Sequence, residues 1–254
     1  MTRATIIAMS IPTITSTRNP KMACTTEISA WLAALHLASP ALPVGGFSYS
    51  EGLEAACSAG LVRDEATSLG WIRACLESAF ERAEAPAWLL HFRAYRAGDW
   101  EAAREWNEWF LTARESLELR RQTEQMGWSM VALIEALALG SAAERGLLAG
   151  LAPICYPAAA AFAYAAEGVP EEVGLAAFAF AWLENQVAAA IKTVPLGQVA
   201  GQRLLRELKS GLPDVLARAS RRAAATPPDI ETLAPQLAIL AARHETQYSR
   251  LFRS

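Results

Sequence analysis

Apolar residues recur three and four positions apart along this chain, and no sustained alternation of apolar and polar residues occurs. Ile28, Trp31, Leu32 and Leu35 fall at positions i, i+3, i+4 and i+7, which places them on one face of a helix. A strand would need a period of two, and runs of β-branched residues are few. The pattern therefore predicts an all-α fold.

Capping residues and helix breakers predict where individual helices begin and end. Two interruptions are predicted inside the C-terminal third, at 210–213 and at 226–229, because each contains proline beside turn-forming residues. No break is long enough to divide the chain, so we expect one irregular helical bundle of about nine or ten helices over residues 25–242. The other predicted boundaries are starts at Asp64 or Thr67, Pro86, Asp99, Ser116 and Pro170, and ends at Ser39-Pro40, Gly98 and Gly140.

The two ends of the chain differ from this central part. Residues 1–24 are rich in Thr, Ile and Ser and contain no acidic residue, and their apolar run is too short for a secretory signal. We expect a disordered N-terminal extension there, with a transit peptide as the alternative. Residues 243–254 form a polar tail that ends in an apolar pair, and such a tail more often becomes ordered on a partner than on its own chain.

The composition indicates a large buried core. Hydrophobic residues make up 53% of the 254 residues and charged residues 19%, and the net charge of −3 argues against binding nucleic acid. Arg203, Arg206 and Lys209 could form a local basic patch, although a solvated helix face is the ordinary interpretation. The uncharged segment 151–166 is shorter than the roughly 20 residues that span a bilayer, so it predicts a buried helix and no membrane association.

The residues that usually carry catalysis or bind metal are absent or badly spaced. The three histidines lack the neighbours of a zinc site, and Gly45-Gly46 lies in no phosphate-binding motif. Ser48 and Ser50 lack the context of a nucleophile. The four cysteines lie far apart, which is typical of reduced thiols in the cytoplasm. We therefore expect a cytoplasmic binding protein, not an enzyme, with no tightly bound cofactor.

Two segments contain combinations of proline, glycine, aromatic and charged residues that a helical bundle alone does not explain. In residues 38–54, Pro43, Gly45 and Gly46 predict a shaped loop before a helix that begins near Ser48. Tyr49, Glu51 and Glu54 follow on the first turn and a half of that helix.

The second segment spans residues 182–202. Lys192 stands alone among small apolar residues, so it needs a carboxylate partner or access to solvent. Pro195 must end or kink the helix that carries it, and Gly197 and Gln198 follow.

Both segments resemble the signature segments of the urease accessory protein UreF family. Residues 39–54 match the form S-x-x-L-P-V-G-[GA]-[FY]-[ST]-[YW]-S-x-G-L-E, and residues 185–198 match N-Q-V-x-A-A-[IV]-[KR]-x-[VI]-P-L-G-Q. Residues 124–127 and the tail 244–254 are also similar to the family. The chain departs from the family in its N-terminal extension and at Phe162-Ala163, where many members have Phe-Gly.

The resemblance implies a homodimeric all-α protein that binds UreD (UreH in some organisms). That pair recruits the GTPase UreG, and the assembly delivers nickel to apo-urease. Nickel is then the cargo, and GTP binds the partner. A direct nickel-binding metallochaperone is the alternative function, and an all-α enzyme is a weaker one.

The resemblance also implies roles for individual residues. Glu54 and Lys192 match positions implicated in gating the GTPase, and Tyr49, with Glu51 beside it, matches the surface that faces UreG. We expect Glu54 and Lys192 to lie near one surface; an ordinary Lys–Glu pair joining two helices is the alternative. The tail matches a region associated with UreD binding, for which the candidate residues are Tyr248, Arg250, Leu251 and Phe252.

Overall fold

A computed structural model describes the backbone of residues 20–253 and the side chains of residues 27–253. This part of the chain is helical and contains no strand, so the predicted all-α class is confirmed. Most of the N-terminal extension expected over residues 1–24 lies outside the described residues. The helices are α1 (Pro20–Leu37), α2 (Leu53–Ser58), α3 (Glu65–Cys75), α4 (Ala85–Ala97), α5 (Trp100–Thr112), α6 (Leu117–Ala136), α7 (Ala142–Ala149), α8 (Tyr156–Ala166), α9 (Glu171–Thr193), α10 (Gln198–Ala224) and α11 (Pro235–His244). A π-helical segment, Leu76–Glu84, joins α3 to α4.

Local capping chemistry explains most helix starts. The Asp64 carboxylate accepts a hydrogen bond from the Thr67 amide at 2.8 Å and begins α3. Asp99 and Ser116 accept equivalent bonds at the starts of α5 and α6. Gly98 ends α4 in the left-handed conformation, with a φ of 70°. These boundaries are confirmed as predicted.

The predicted break at 210–213 is wrong, because α10 continues through Pro213. A proline inside a helix costs about 3 kcal/mol. The buried face of α10 outweighs that cost, since each fully buried leucine contributes about 1.5–3 kcal/mol. Pro213 itself points to solvent. The buried face consists of Leu204, Leu208, Leu212, Val215 and Ala219.

Helices α4, α8 and α9 form the centre of the core. The predicted buried helix within 151–166 is confirmed as α8, whose alanines let α4 and α6 approach closely. Trp88 of α4 stacks on Phe92 at 4.9 Å between ring centres and meets the edge of Tyr164 at 5.7 Å. Helix α9 is long and apolar enough to cross a membrane by length and composition, but half of its most apolar window is buried in this core.

Gly127 marks the closest approach between α6 and the segment that precedes α8. A Cβ atom at this position would lie 2.1 Å from the carbonyl oxygen of Ile154, far inside van der Waals contact. The obstacle is backbone, which cannot rotate away as a side chain can. Gly211, in contrast, lies on the exposed face of α10, and nothing lies within 4 Å of the same atom there.

We therefore expect Gly127→Ala to destabilise the protein by about 2 kcal/mol or more, since α6 must move off the core. Urea unfolding followed by circular dichroism measures this change. Gly211→Ala is the matched control and is expected to stabilise the protein by up to about 1 kcal/mol, because alanine is the better helix former. Equal stability of the two variants would contradict the packing described here.

Candidate functional site

The first signature segment is a loop whose path depends on left-handed residues. Gly45 has a φ of 81° and precedes a short 3-10 turn, Gly46–Ser48. Glu51 and Gly52 then adopt φ values of 50° and 79°, so α2 begins only at Leu53. The predicted helix start near Ser48 is wrong for this reason. The positive φ favours glycine at position 52, and a Cβ atom there would also lie 2.9 Å from Leu237 Cδ1, so that side chain would have to shift.

Glu54 lies in the first turn of α2, and its carboxylate is buried with 6% of the residue exposed. The backbone amides of Leu251 and Phe252 donate to it at 2.8 and 3.0 Å. His244 Nε2 lies 3.1 Å away, and Gln247 Nε2 donates at 3.3 Å. One side chain near the N-terminus therefore holds the C-terminal tail.

A second buried carboxylate, Glu118, completes a polar cluster with Glu54, the buried His244 ring and the partly exposed side chain of Arg250. The Nδ1 atom of His244 lies 2.9 Å from Glu118, so the ring bridges two carboxylates. Arg250 Nη1 pairs with Glu118 at 2.8 Å. The His244 ring and the Arg250 guanidinium give the two buried carboxylates hydrogen-bond partners, which offsets part of the cost of burying them.

Lys192 lies in the last turn of α9, is exposed, and does not pair with Glu54. Its ammonium nitrogen lies 5.7 Å from the ring centre of Phe47 and 5.4 Å from that of Phe252. Lysine in this position is attracted by the negative faces of both rings. Phe47 belongs to the loop and Phe252 to the tail, so both signature segments and the tail meet at Lys192.

The expectation that Glu54 and Lys192 share one surface is therefore wrong for Glu54. The tail covers Glu54, because a buried carboxylate needs donors and the tail amides supply them. Lys192 stays exposed. The alternative Lys–Glu pair does not occur either, since Glu54 is bound by the His244 ring and by the amides of the tail.

Tyr49 and Glu51 also point inward. Tyr49 is 5% exposed, and its carbonyl accepts a bond from Asn185 of α9 at 3.4 Å. Glu51 accepts bonds from Trp182 Nε1 at 3.0 Å and from Gln122 Nε2 at 2.8 Å. Burial raises the pKa of Glu51 to about 7. Both residues therefore attach the loop to α9 through hydrogen bonds.

The remaining signature residues shape the chain around these contacts. Pro43 and Pro195 are exposed at the two bends, and α9 ends at Thr193 just before Pro195. Gly197 precedes α10, and Gln198 is its exposed first residue. A Cβ atom on Gly46 would make ordinary contacts with Met126 at 3.6 Å and with Asn185 Oδ1 at 3.9 Å.

The tail docks on its own chain, contrary to the expectation that it becomes ordered on a partner. Phe252 is buried, and the Arg253 amide donates to the Ser48 carbonyl at 2.7 Å. Tyr248 and Leu251 instead point to solvent, with 105% and 72% exposure. The tail therefore has an inner face that binds this chain and an outer face that is open.

Sequence reasoning missed Glu118, Gln122 and Gln247. A usable signal existed for Glu118, which occupies the same helical face as the apolar residues that follow it in α6. Gln247 carries no such signal, because its partner Glu54 lies almost two hundred positions away. Across the side chains that the structure describes, no group of three or more His, Cys, Asp or Glu residues is arranged to hold a metal ion.

Comparison with known proteins gives consistent matches. The UreF family model matches residues 62–209. The urease accessory protein UreF of Bordetella parapertussis is 59% identical over 220 residues, which is 87% of this chain and all of that protein. The UreF of Cupriavidus necator is 53% identical over 229 residues, 90% of this chain and again all of the relative. The bifunctional urease accessory protein UreEF of Bordetella bronchiseptica is 60% identical over 222 residues, and the chain spans 51% of its length.

Proposed function

Because this chain belongs to the UreF family of urease accessory proteins, we propose that it is the adaptor of the urease-maturation assembly. Family membership makes it a participant in urease maturation and not itself an enzyme. In the proposed mechanism a cytoplasmic homodimer binds UreD, and the pair recruits the GTPase UreG. The adaptor then gates UreG, so that GTP hydrolysis is coupled to delivery of nickel into apo-urease.

The observation that supports this proposal most is the meeting of three segments at Lys192. The ammonium is exposed and contacts the Phe47 and Phe252 rings instead of a carboxylate. An exposed cation–π contact contributes only about 0.5–1 kcal/mol, so a carboxylate on a partner can compete for the lysine. Such a competition would move both the loop and the tail, and we propose that this is how UreG is sensed.

The proposed roles follow the two faces of the tail. Glu54 acts from the interior by holding the tail in place, and Arg250 and Phe252 anchor its inner face. Tyr248 and Leu251, on the outer face, are the residues proposed to contact UreD. Tyr49 and Glu51 contribute indirectly, because they hold the loop that carries Phe47.

Lys192→Glu is expected to lower urease activation several-fold, because the reversed charge repels the partner carboxylate and loses both ring contacts. Cells that carry the urease operon measure activation, and co-purification with UreD and with UreG plus a non-hydrolysable GTP analogue measures assembly. UreD should still co-purify, while UreG is lost or no longer responds to the nucleotide.

Lys209→Glu is the matched control for this experiment, because Lys209 is an exposed lysine on α10. It should leave activation unchanged. A Lys192→Glu protein that unfolds, loses UreD or activates urease normally would contradict the proposed gating.

Leu251→Asp is expected to weaken UreD binding more than tenfold, since a buried interface leucine replaced by a charge costs about 2 kcal/mol or more. The free protein should fold normally, because the Leu251 side chain is exposed and its amide can still bind Glu54. Leu233→Asp, at an equally exposed leucine outside the tail, is the control. Undiminished co-purification of UreD with Leu251→Asp would refute the outer-face assignment.

A further inference from the structure

A partly open cavity of about 100 Å³ lies beneath the signature loop. Its wall is mostly apolar and includes Leu42, Phe80, Met126 and Trp182. For comparison, an apolar cavity of about 150 Å³ in another protein admits benzene. The space is therefore large enough for a small organic group but not for a folded segment.

The cavity wall holds more carboxylates than cations. Arg114, whose side chain is only 8% exposed, donates through Nη1 to Glu84 at 2.7 Å. Glu51 reaches the same cavity, but its hydrogen-bond partners among the described residues are the neutral groups of Trp182 and Gln122. Two carboxylates thus share one guanidinium in an apolar surrounding, and such a site favours an added cation.

Arg114 provides a second, independent indication of a ligand. Its guanidinium carbon lies 4.1 Å from the ring centre of Phe110, and its Nε atom is buried without a hydrogen-bond partner in the described part of the chain. A buried donor without an acceptor is unfavourable, because it has lost its hydrogen bond to water and gained none in exchange. The cavity wall therefore lacks both a cation for Glu51 and an acceptor for Arg114.

We propose that this cavity binds an organic cation, an ammonium or guanidinium group on a short apolar stem that also carries a hydrogen-bond acceptor. The cation pairs with the Glu51 carboxylate, the stem packs on the apolar wall, and the acceptor receives the Arg114 Nε proton. The same chemistry is offered by a free small amine and by a lysine side chain with its own backbone carbonyl. This site adjoins the contact proposed for UreG, because Phe47 lines the cavity and also lies beside Lys192, but it includes neither Tyr248 nor Leu251, the residues proposed to contact UreD.

The pH dependence of binding follows from the ionisation of Glu51. Burial raises its pKa to about 7, so the carboxylate is about one-tenth ionised at pH 6 and about nine-tenths ionised at pH 8. An alkylammonium stays protonated throughout this range, so cation affinity should rise roughly tenfold from pH 6 to pH 8. The other charged or titratable groups that line the cavity or interact with Glu51 are Glu84, Arg114, Glu115, Glu184, Tyr156 and Cys75.

The test titrates the full chain with 3-aminopropanol and follows ligand shifts by NMR at pH 6 and pH 8. Butan-1-ol replaces the ammonium by a methyl group, and butylammonium replaces the hydroxyl. At pH 8 we expect butan-1-ol to bind at least tenfold more weakly than 3-aminopropanol, and butylammonium to bind several-fold more weakly. Glu51→Gln should remove the preference for the cation, while Glu105→Gln, at an exposed residue of α5, should keep it.

N-acetyl-lysine methylamide distinguishes the two sources of the cation. Binding as tight as that of 3-aminopropanol assigns the site to a partner's lysine, and exclusion of this larger probe assigns it to a free amine. Equal binding of cation and alcohol, no change between pH 6 and pH 8 in the unmodified protein, or displacement of the amine by equimolar Ni²⁺ would each overturn the proposal.

Discussion

The Glu54 carboxylate is the interaction on which the functional end of this molecule depends. A carboxylate buried without partners would cost several kcal/mol, so α2 can hold Glu54 inside only while the tail supplies donors. In the tail, Phe252 is buried in the core, whereas Tyr248 and Leu251 are exposed. Hydrogen bonds to a charged group contribute about 1.5–3 kcal/mol each, which is enough to order a short segment that would otherwise be free. Loop and tail are therefore stabilised together.

This dependence explains why the signature residues both bury Glu54 and keep Phe47 and Lys192 at the surface. Gly45 and Gly52 turn the loop so that Glu54 enters the interior and Phe47 stays at the surface. The end of α9 then brings Lys192 between Phe47 and Phe252. The rigid base for these contacts is the alanine-rich α8 and the close approach at Gly127. The proposed adaptor role would use this arrangement, because a contact made at one segment would displace the other two.

Features set by local chemistry could be predicted from the sequence, and features set by distant contacts could not. The cap at Asp64, the end at Gly98 and the start at Pro170 depend on neighbours within a few residues, and all three were predicted. Pro213 was misjudged because the apolar face of α10 packs against residues far away in the chain. The burial of Glu54 was missed for the same reason, since its donors come from the opposite end of the chain. The inner and outer faces of the tail follow from that burial, so the sequence did not predict them either.

Hydrogen exchange at the amides of Leu251 and Phe252 is the measurement that tests the role of Glu54 most directly. Glu54→Gln keeps the shape of the side chain but removes its charge and one acceptor oxygen. Loss of charged hydrogen bonds of about 1.5–3 kcal/mol should speed exchange at these two amides about tenfold or more, and leave the amides of α8 unchanged. Glu81→Gln, at a buried carboxylate that pairs with Arg218 instead, is the control and should not affect the tail. Unaltered exchange at Leu251 and Phe252 in Glu54→Gln would show that the tail is held by something other than this carboxylate.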